Sequence, residues 1–169
     1  LARAQEPAAD GSADTAGPAQ AAADLPPPTR EEAEAARTVF QDSERELKQL
    51  VGELSTLQTS YQKKGADRPA LEAAFETTKT SAQAASQRLE EAAVTIARAG
   101  IPQRGEVDNI DVAMPVYQNA RKVCGAMVAG YIKTDAPEKA LELVDQLERV
   151  GAIDGDVLMM GATASMLLS

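Results

Sequence analysis

Between residues 29 and 100 apolar side chains recur at alternating spacings of four and three. In the first half of this stretch Ala36, Ser43, Leu50 and Leu57 alternate with Phe40, Leu47, Leu54 and Tyr61. In the second half Leu71, Thr78, Ala85 and Ala92 alternate with Phe75, Ala82, Leu89 and Ile96. Such heptads predict two amphipathic helices that bury one seam against each other. Thr29 and Glu32 form a capping box that opens the first helix, which is expected to run to Lys64 and stop at Gly65. Asp67 caps the second, with Pro69 in its first turn, and Gly100 and Pro102 end it. At about 1.5 Å per residue both helices are roughly 50 Å long. Two helices of matched length joined by a short turn predict an antiparallel hairpin. Folding the chain about Ala66 sets Leu47 opposite Ala85, Leu50 opposite Ala82, Phe40 opposite Ala92 and Ala36 opposite Ile96, large against small. One continuous helix in an oligomeric coiled coil is the competing reading, and Gly65 and Pro69 argue against it.

The pattern changes after residue 100. Residues 101–107 read as a loop. Asp108 or Asn109 can cap a helix, but Pro115 would lie inside it, so the firm part is expected from Met114. Val116, Tyr117, Ala120, Cys124, Met127, Val128 and Tyr131 share one helical stripe. Asp135 with Glu138 reads as a second capping box, with Pro137 in the first turn, opening a helix that ends before Gly151. Its predicted buried stripe is Ala140, Leu141, Val144 and Leu147. A last helix starts near Gly155 and is apolar almost all round. No stretch alternates with period two over five residues, so no sheet is predicted. The expected fold is all-α: a long hairpin over 29–100, then a helix-turn-helix bundle over 101–169 that is incomplete at its C-terminus.

Residues 1–28 differ from the rest. They hold five of the nine prolines and only Leu1 and Leu25 as large aliphatics, which predicts a disordered Ala/Pro-rich linker without contact to the core. Ala2-Arg3-Ala4 fits the small-x-small pattern of a signal-peptidase site and points to a processed export signal at residues 1–4. Export to the periplasm or cell envelope is therefore the expectation, a cytoplasmic location the alternative.

Composition narrows the chemistry. The chain has no His and one Cys, which excludes the Ser-His-Asp triad, the Cys-His dyad and the common zinc sites. A net charge of −9 repels a phosphate backbone, so no nucleic acid is expected as a partner. No apolar run reaches the roughly 20 residues of a membrane span. Glu31/Glu32/Glu34, Glu90/Glu91 and Glu142/Asp145/Glu148 lie off the apolar stripes and read as solvated faces. Asp154-Gly155-Asp156 lacks the remaining ligands of a calcium loop and reads as a turn and cap. Cys124, on an apolar stripe, reads as a small core residue. Gly125, Gly130 and Gly161 read as close helix contacts. No catalytic, cofactor-binding or metal-ligating set emerges. All five methionines fall between Met114 and Met166. In the last helix Met159, Met166 and Leu167 are expected to form an exposed apolar patch that binds a partner protein, downstream sequence of the same polypeptide or a second copy.

Two resemblances bear on this reading. Tyr131, the turn Lys133-Thr134-Asp135, Glu138-Lys139-Ala140-Leu141 and Gly151 resemble a tetratricopeptide unit. Gly161 and Ala164 repeat the small residues of a following first helix. The usual Trp, the first Gly and the Pro after the second helix are missing. Further, the Ala/Pro spacer, the hairpin with Arg68-Pro69-Ala70-Leu71-Glu72 and this helix pair resemble the N-terminal region of exported planctomycete proteins. In several of those a cyclophilin-type peptidyl-prolyl isomerase domain follows. That domain needs a β-barrel with Arg, Phe and His, so the resemblance implies an accessory region and no isomerase activity in these residues. The expected function is a non-catalytic module for protein–protein interaction or domain presentation. The alternatives are the accessory region of an isomerase and a structural coiled-coil spacer.

Overall fold

The computed structural model describes residues 26–168. The linker and signal expectations for residues 1–25 lie outside the described residues. Five helices follow one another: α1 (Arg30–Tyr61), α2 (Arg68–Arg98), α3 (Ile110–Lys133), α4 (Pro137–Arg149) and α5 (Gly155–Leu167). The fold is all-α; among the described residues the only β-type pairing is an isolated bridge between Arg104 and Val107. α1 and α2 form the hairpin, α3 packs on α2, α4 on α3, and α5 on both α4 and α3.

The capping box at Thr29 forms in both directions: the Glu32 N–H donates to Thr29 Oγ1, and the Thr29 N–H donates to Glu32 Oε2 at 2.7 Å. α1 ends at Tyr61, three residues before the expected Lys64. Its last turn tightens as the Lys63 N–H bonds to the Ser60 carbonyl, and Gly65, at φ +82°, carries the reversal. Asp67 caps α2 through the Ala70 N–H. Inter-helix bonds sit within two residues of the expected register: Arg88 to Glu46 at 2.7 Å, and the Tyr61 hydroxyl to Glu72 Oε1 at 2.9 Å.

Burial along the hairpin is uneven. Ala33, Ala36, Phe40, Ser43 and, on α2, Ala85, Ala92, Ala93, Ile96 and Ala97 are buried, yet no residue from 44 to 84 is. α3 covers only the base. Further out two helices have only each other, and one seam cannot enclose a leucine. Leu47, Leu50, Leu54 and Leu57 stay half-buried, and Tyr61 and Phe75 at the tip are exposed. The hairpin is an arm on a core. That core joins Phe40 and Ile96 to Tyr117, Cys124, Val128, Val144, Leu147, Val157 and Ala164.

Four expectations need correction. First, α3 begins at Ile110, not near Met114, and runs through Pro115. So close to the N-terminus the proline removes one intrahelical bond, and Ala113, Val116 and Tyr117 are buried on either side of it. Second, Asp135 is not an N-cap. It has φ +56°, and α4 starts after Ala136 without a side-chain cap bond. The Ala136 N–H bonds back to the Tyr131 carbonyl at 2.9 Å and the Asp135 N–H to the Ile132 carbonyl, so Asp135 holds the left-handed position that closes α3. Gly151 does the same for α4 at φ +65°. Third, Leu141 is only half-buried, and Leu143 takes its place in the core stripe beside Ala140, Val144 and Leu147. Fourth, Pro26, placed within the contact-free linker, accepts a 2.8 Å hydrogen bond on its carbonyl from Arg98 Nη2.

Candidate functional site

The turn before α5 is fixed first. Asp154 Oδ1 accepts the Val157 N–H at 3.1 Å, capping the helix as Asp154-Gly155-Asp156 predicts. From α3, Arg121 Nε donates to the Ala152 carbonyl at 2.8 Å, and its Nη2 lies 3.8 Å from Asp154 Oδ2. Its guanidinium also sits over the Tyr117 ring, 5.9 Å from the centroid. One arginine thus ties the start of α5 to α3.

α5 turns Val157, Gly161 and Ala164 inward. Gly161 lets α5 approach α4 so closely that a Cβ there would lie 2.9 Å from Val144 Cγ1. Gly125 plays a milder version of this part, its virtual Cβ 3.3 Å from Val157 Cγ2. Gly130, expected to be a third close contact, has nothing within 4 Å.

Val157, Gly161 and Ala164 face inward, Met160 is half-buried against the core, and the remaining residues of α5 are exposed. Met159 is 74% exposed, Met166 70% and Leu167 56%, with Leu158 and Leu168 also exposed at the edge. Met159 and Met166 stand two turns apart on the face opposite Val157 and Ala164. No charged residue follows Asp156 as far as Leu168. Thr163, whose hydroxyl donates to the Met159 carbonyl at 3.0 Å, is a polar residue between Met159 and Leu167 on this exposed, mainly apolar side.

The remaining candidates fall elsewhere. Cys124 is fully buried, and burial pushes its thiol up to about 12, so it is not poised as a nucleophile. Among the described residues no group of three His, Cys, Asp or Glu is arranged to hold a metal ion. Glu31, Glu91, Asp145 and Glu148 are exposed, as expected of solvated faces. Glu32 is exposed too, its carboxyl held below its ordinary value by the Thr29 hydrogen bonds. Glu34, Glu90 and Glu142 are half-buried instead. Glu34 pairs at 2.7 Å with Arg37, whose side chain is largely covered. Among the described residues no helix is long and apolar enough to cross a membrane.

Two surface features escape the pattern reading. At the hairpin tip Leu57, Tyr61, Leu71 and Phe75 line a cleft edged by Glu72 and Glu76, and Arg68 lies 5.3 Å from the Tyr61 ring centroid. A second groove runs between α2 and α3, over Leu89, Val123, Met127 and Tyr131. Met127 and Tyr131 lie on the apolar stripe read from the sequence but are only half-buried, and Val123 flanks them, so the groove follows the less covered edge of that stripe. No family model, curated protein or solved structure matches this chain.

Proposed function

We propose that this chain is a non-catalytic helical module for protein–protein interaction, acting through the outward face of α5. The exposure of Met159, Met166 and Leu167 on the outward side of α5, where no charged residue follows Asp156, carries this reading. In it α3 and α4 form a tetratricopeptide-like pair, and α5 stands as the first helix of a following unit whose free face a partner helix covers. The buried, high-pKa thiol of Cys124 supports a role without covalent chemistry.

The expected behaviour is concentration-dependent self-association of the isolated chain, because a second copy can cover the same face. Sedimentation velocity over the micromolar range reads it. Met159→Glu combined with Leu167→Lys abolishes association while leaving the far-ultraviolet circular dichroism unchanged. A strictly monomeric wild-type chain overturns the reading.

A spacer role has its own support, since the arm over residues 44–84 contributes no buried residue to the core. Shortening both hairpin helices by one heptad alters partner binding under the spacer reading and spares it under the α5 reading. Export rests on Ala2-Arg3-Ala4 and the Ala/Pro-rich segment, and fractionation of the native host tests it. The role as accessory region of a peptidyl-prolyl isomerase rests on the sequence resemblance; coding sequence beyond Ser169 without a β-barrel domain removes it.

A further inference from the structure

The groove between α2 and α3 lies on a different element pair from the exposed face of α5. We propose that it is a docking site for a basic amphipathic helix of a partner protein. Four observations lead there. Along the apolar stripe of α3, Ala113, Val116, Ala120, Cys124 and Val128 are buried, whereas Met127 and Tyr131, with Val123 beside them, are only half-buried: they pack against the core on one side and line the groove on the other. From α2, Leu89 adds to the floor.

The second observation is Gly130. It lines the groove, yet a Cβ there would touch nothing within 4 Å, and Ala126, one turn earlier, is exposed. No packing within the described residues requires a glycine at this place, unlike Gly161. A missing side chain over open space lets an incoming backbone come close to α3.

Length is the third. From Val123 to Thr134 the groove follows three turns of α3, about 17 Å. That is the span over which a helix can seat its own ridge between two others.

Charge is the fourth. Glu90 is the single charged residue lining the groove. Glu90 and, from α4, Glu142 both bear electrostatically on the Tyr131 phenol. Glu90 accepts from the Ser86 hydroxyl at 3.3 Å, and none of the described ion pairs gives either carboxylate a cation. A lysine or arginine on the occupant, placed one turn from its apolar face, meets Glu90, with Glu142 adding to the negative potential around Tyr131. The apolar floor supplies burial and the acidic end sets direction and selects against acidic helices.

The test uses the full chain and a fluorescein-labelled peptide of about 15 residues built from Ala, Leu and Lys, with its leucines on one face. Its counterpart carries Glu in place of every Lys. Fluorescence anisotropy is expected to show saturable one-to-one binding of the Lys peptide, with the Glu peptide weaker by about tenfold or more. Gly130→Leu fills the groove and weakens binding by about tenfold, with melting temperature unchanged or raised. Ala126→Lys, at an exposed helical position, does the same by bulk and charge and serves if Gly130→Leu disturbs the fold. Glu90→Gln with Glu142→Gln weakens binding several-fold and flattens its salt dependence. The proposal is overturned if no saturable binding occurs. It is also overturned if Gly130→Leu and Ala126→Lys bind like wild type, which marks diffuse attraction to an acidic surface. Loss of binding only in Met159→Glu with Leu167→Lys assigns the peptide to α5 and refutes the groove.

Discussion

Gly161→Ala tests the tightest approach made by any glycine among the described residues. In mid-helix a glycine-to-alanine change by itself gains about 1 kcal/mol. At position 161 the new Cβ would lie 2.9 Å from Val144 Cγ1 and 3.4 Å from Cγ2. Val144 is buried, and a valine within a helix has one strongly preferred rotamer, so it cannot swing aside. Forcing a methyl into such a contact costs roughly 1–3 kcal/mol. The clash wins, and a net loss of about 1 kcal/mol is expected. Gly125→Ala meets Val157 Cγ2 at 3.3 Å, where the two effects nearly cancel, leaving stability within about 0.5 kcal/mol of wild type. Gly130→Ala meets nothing within 4 Å and gains about 0.5–1 kcal/mol, the lower end because it lies in the last turns of α3. Urea melts followed by circular dichroism at constant m give the three differences. Adding Val144→Ala removes the obstructing methyls, and the double-mutant cycle with Gly161→Ala returns a coupling of about 1–2 kcal/mol. If Gly161→Ala stabilises as much as Gly130→Ala, α4 and α5 do not meet as described.

Other outcomes follow from the same geometry. Asp135→Gly relieves a left-handed residue and stabilises by about 0.5–1 kcal/mol, read by thermal melting; a loss would show that the Asp135 side chain carries something the turn needs. Ala85→Leu, at a fully buried seam position, costs about 1–3 kcal/mol. Ala82→Leu costs less because Ala82 is half-buried on the open arm, and exposed Gln83 tolerates change within about 0.5 kcal/mol. Equal melts for Ala85→Leu and Gln83→Leu would refute the register. Cys124 stays protonated in the fold while the unfolded thiol ionises near its ordinary pKa. Stability is therefore full below about pH 9 and falls by up to about 1.4 kcal/mol per unit as pH rises toward 12. Cys124→Ala removes that part of the slope in pH-dependent urea melts, and iodoacetamide should label Cys124 only on unfolding.

Heptads, caps and punctuating glycines lie close together in the chain, and these local signals suffice for the hairpin, the start of α1, the start and end of α2 and the Asp154 cap of α5. The exposure of Met159, Met166 and Leu167 was legible for a similar reason: a helix apolar all round leaves an apolar face uncovered unless it is enclosed on all sides. Chain position alone misled at Asp135, where the same residue type serves an N-cap or a left-handed helix end. The bond from Ala136 back to Tyr131, set by how α3 and α4 meet, decides between them. Leu141 and Leu143 are both plausible on a 3.6-residue wheel, and only the position of α4 against α3 selects Leu143. A heptad states which residues face a partner but not how many partners surround it, so the shift from buried core to half-exposed arm at Ser43 and Ala85 depends on where α3 stops covering α2. The three glycines make the same point. Identical in the sequence, they differ because Val144 stands against Gly161, Val157 against Gly125 and open groove against Gly130, distances that belong to the packing of one helix on another.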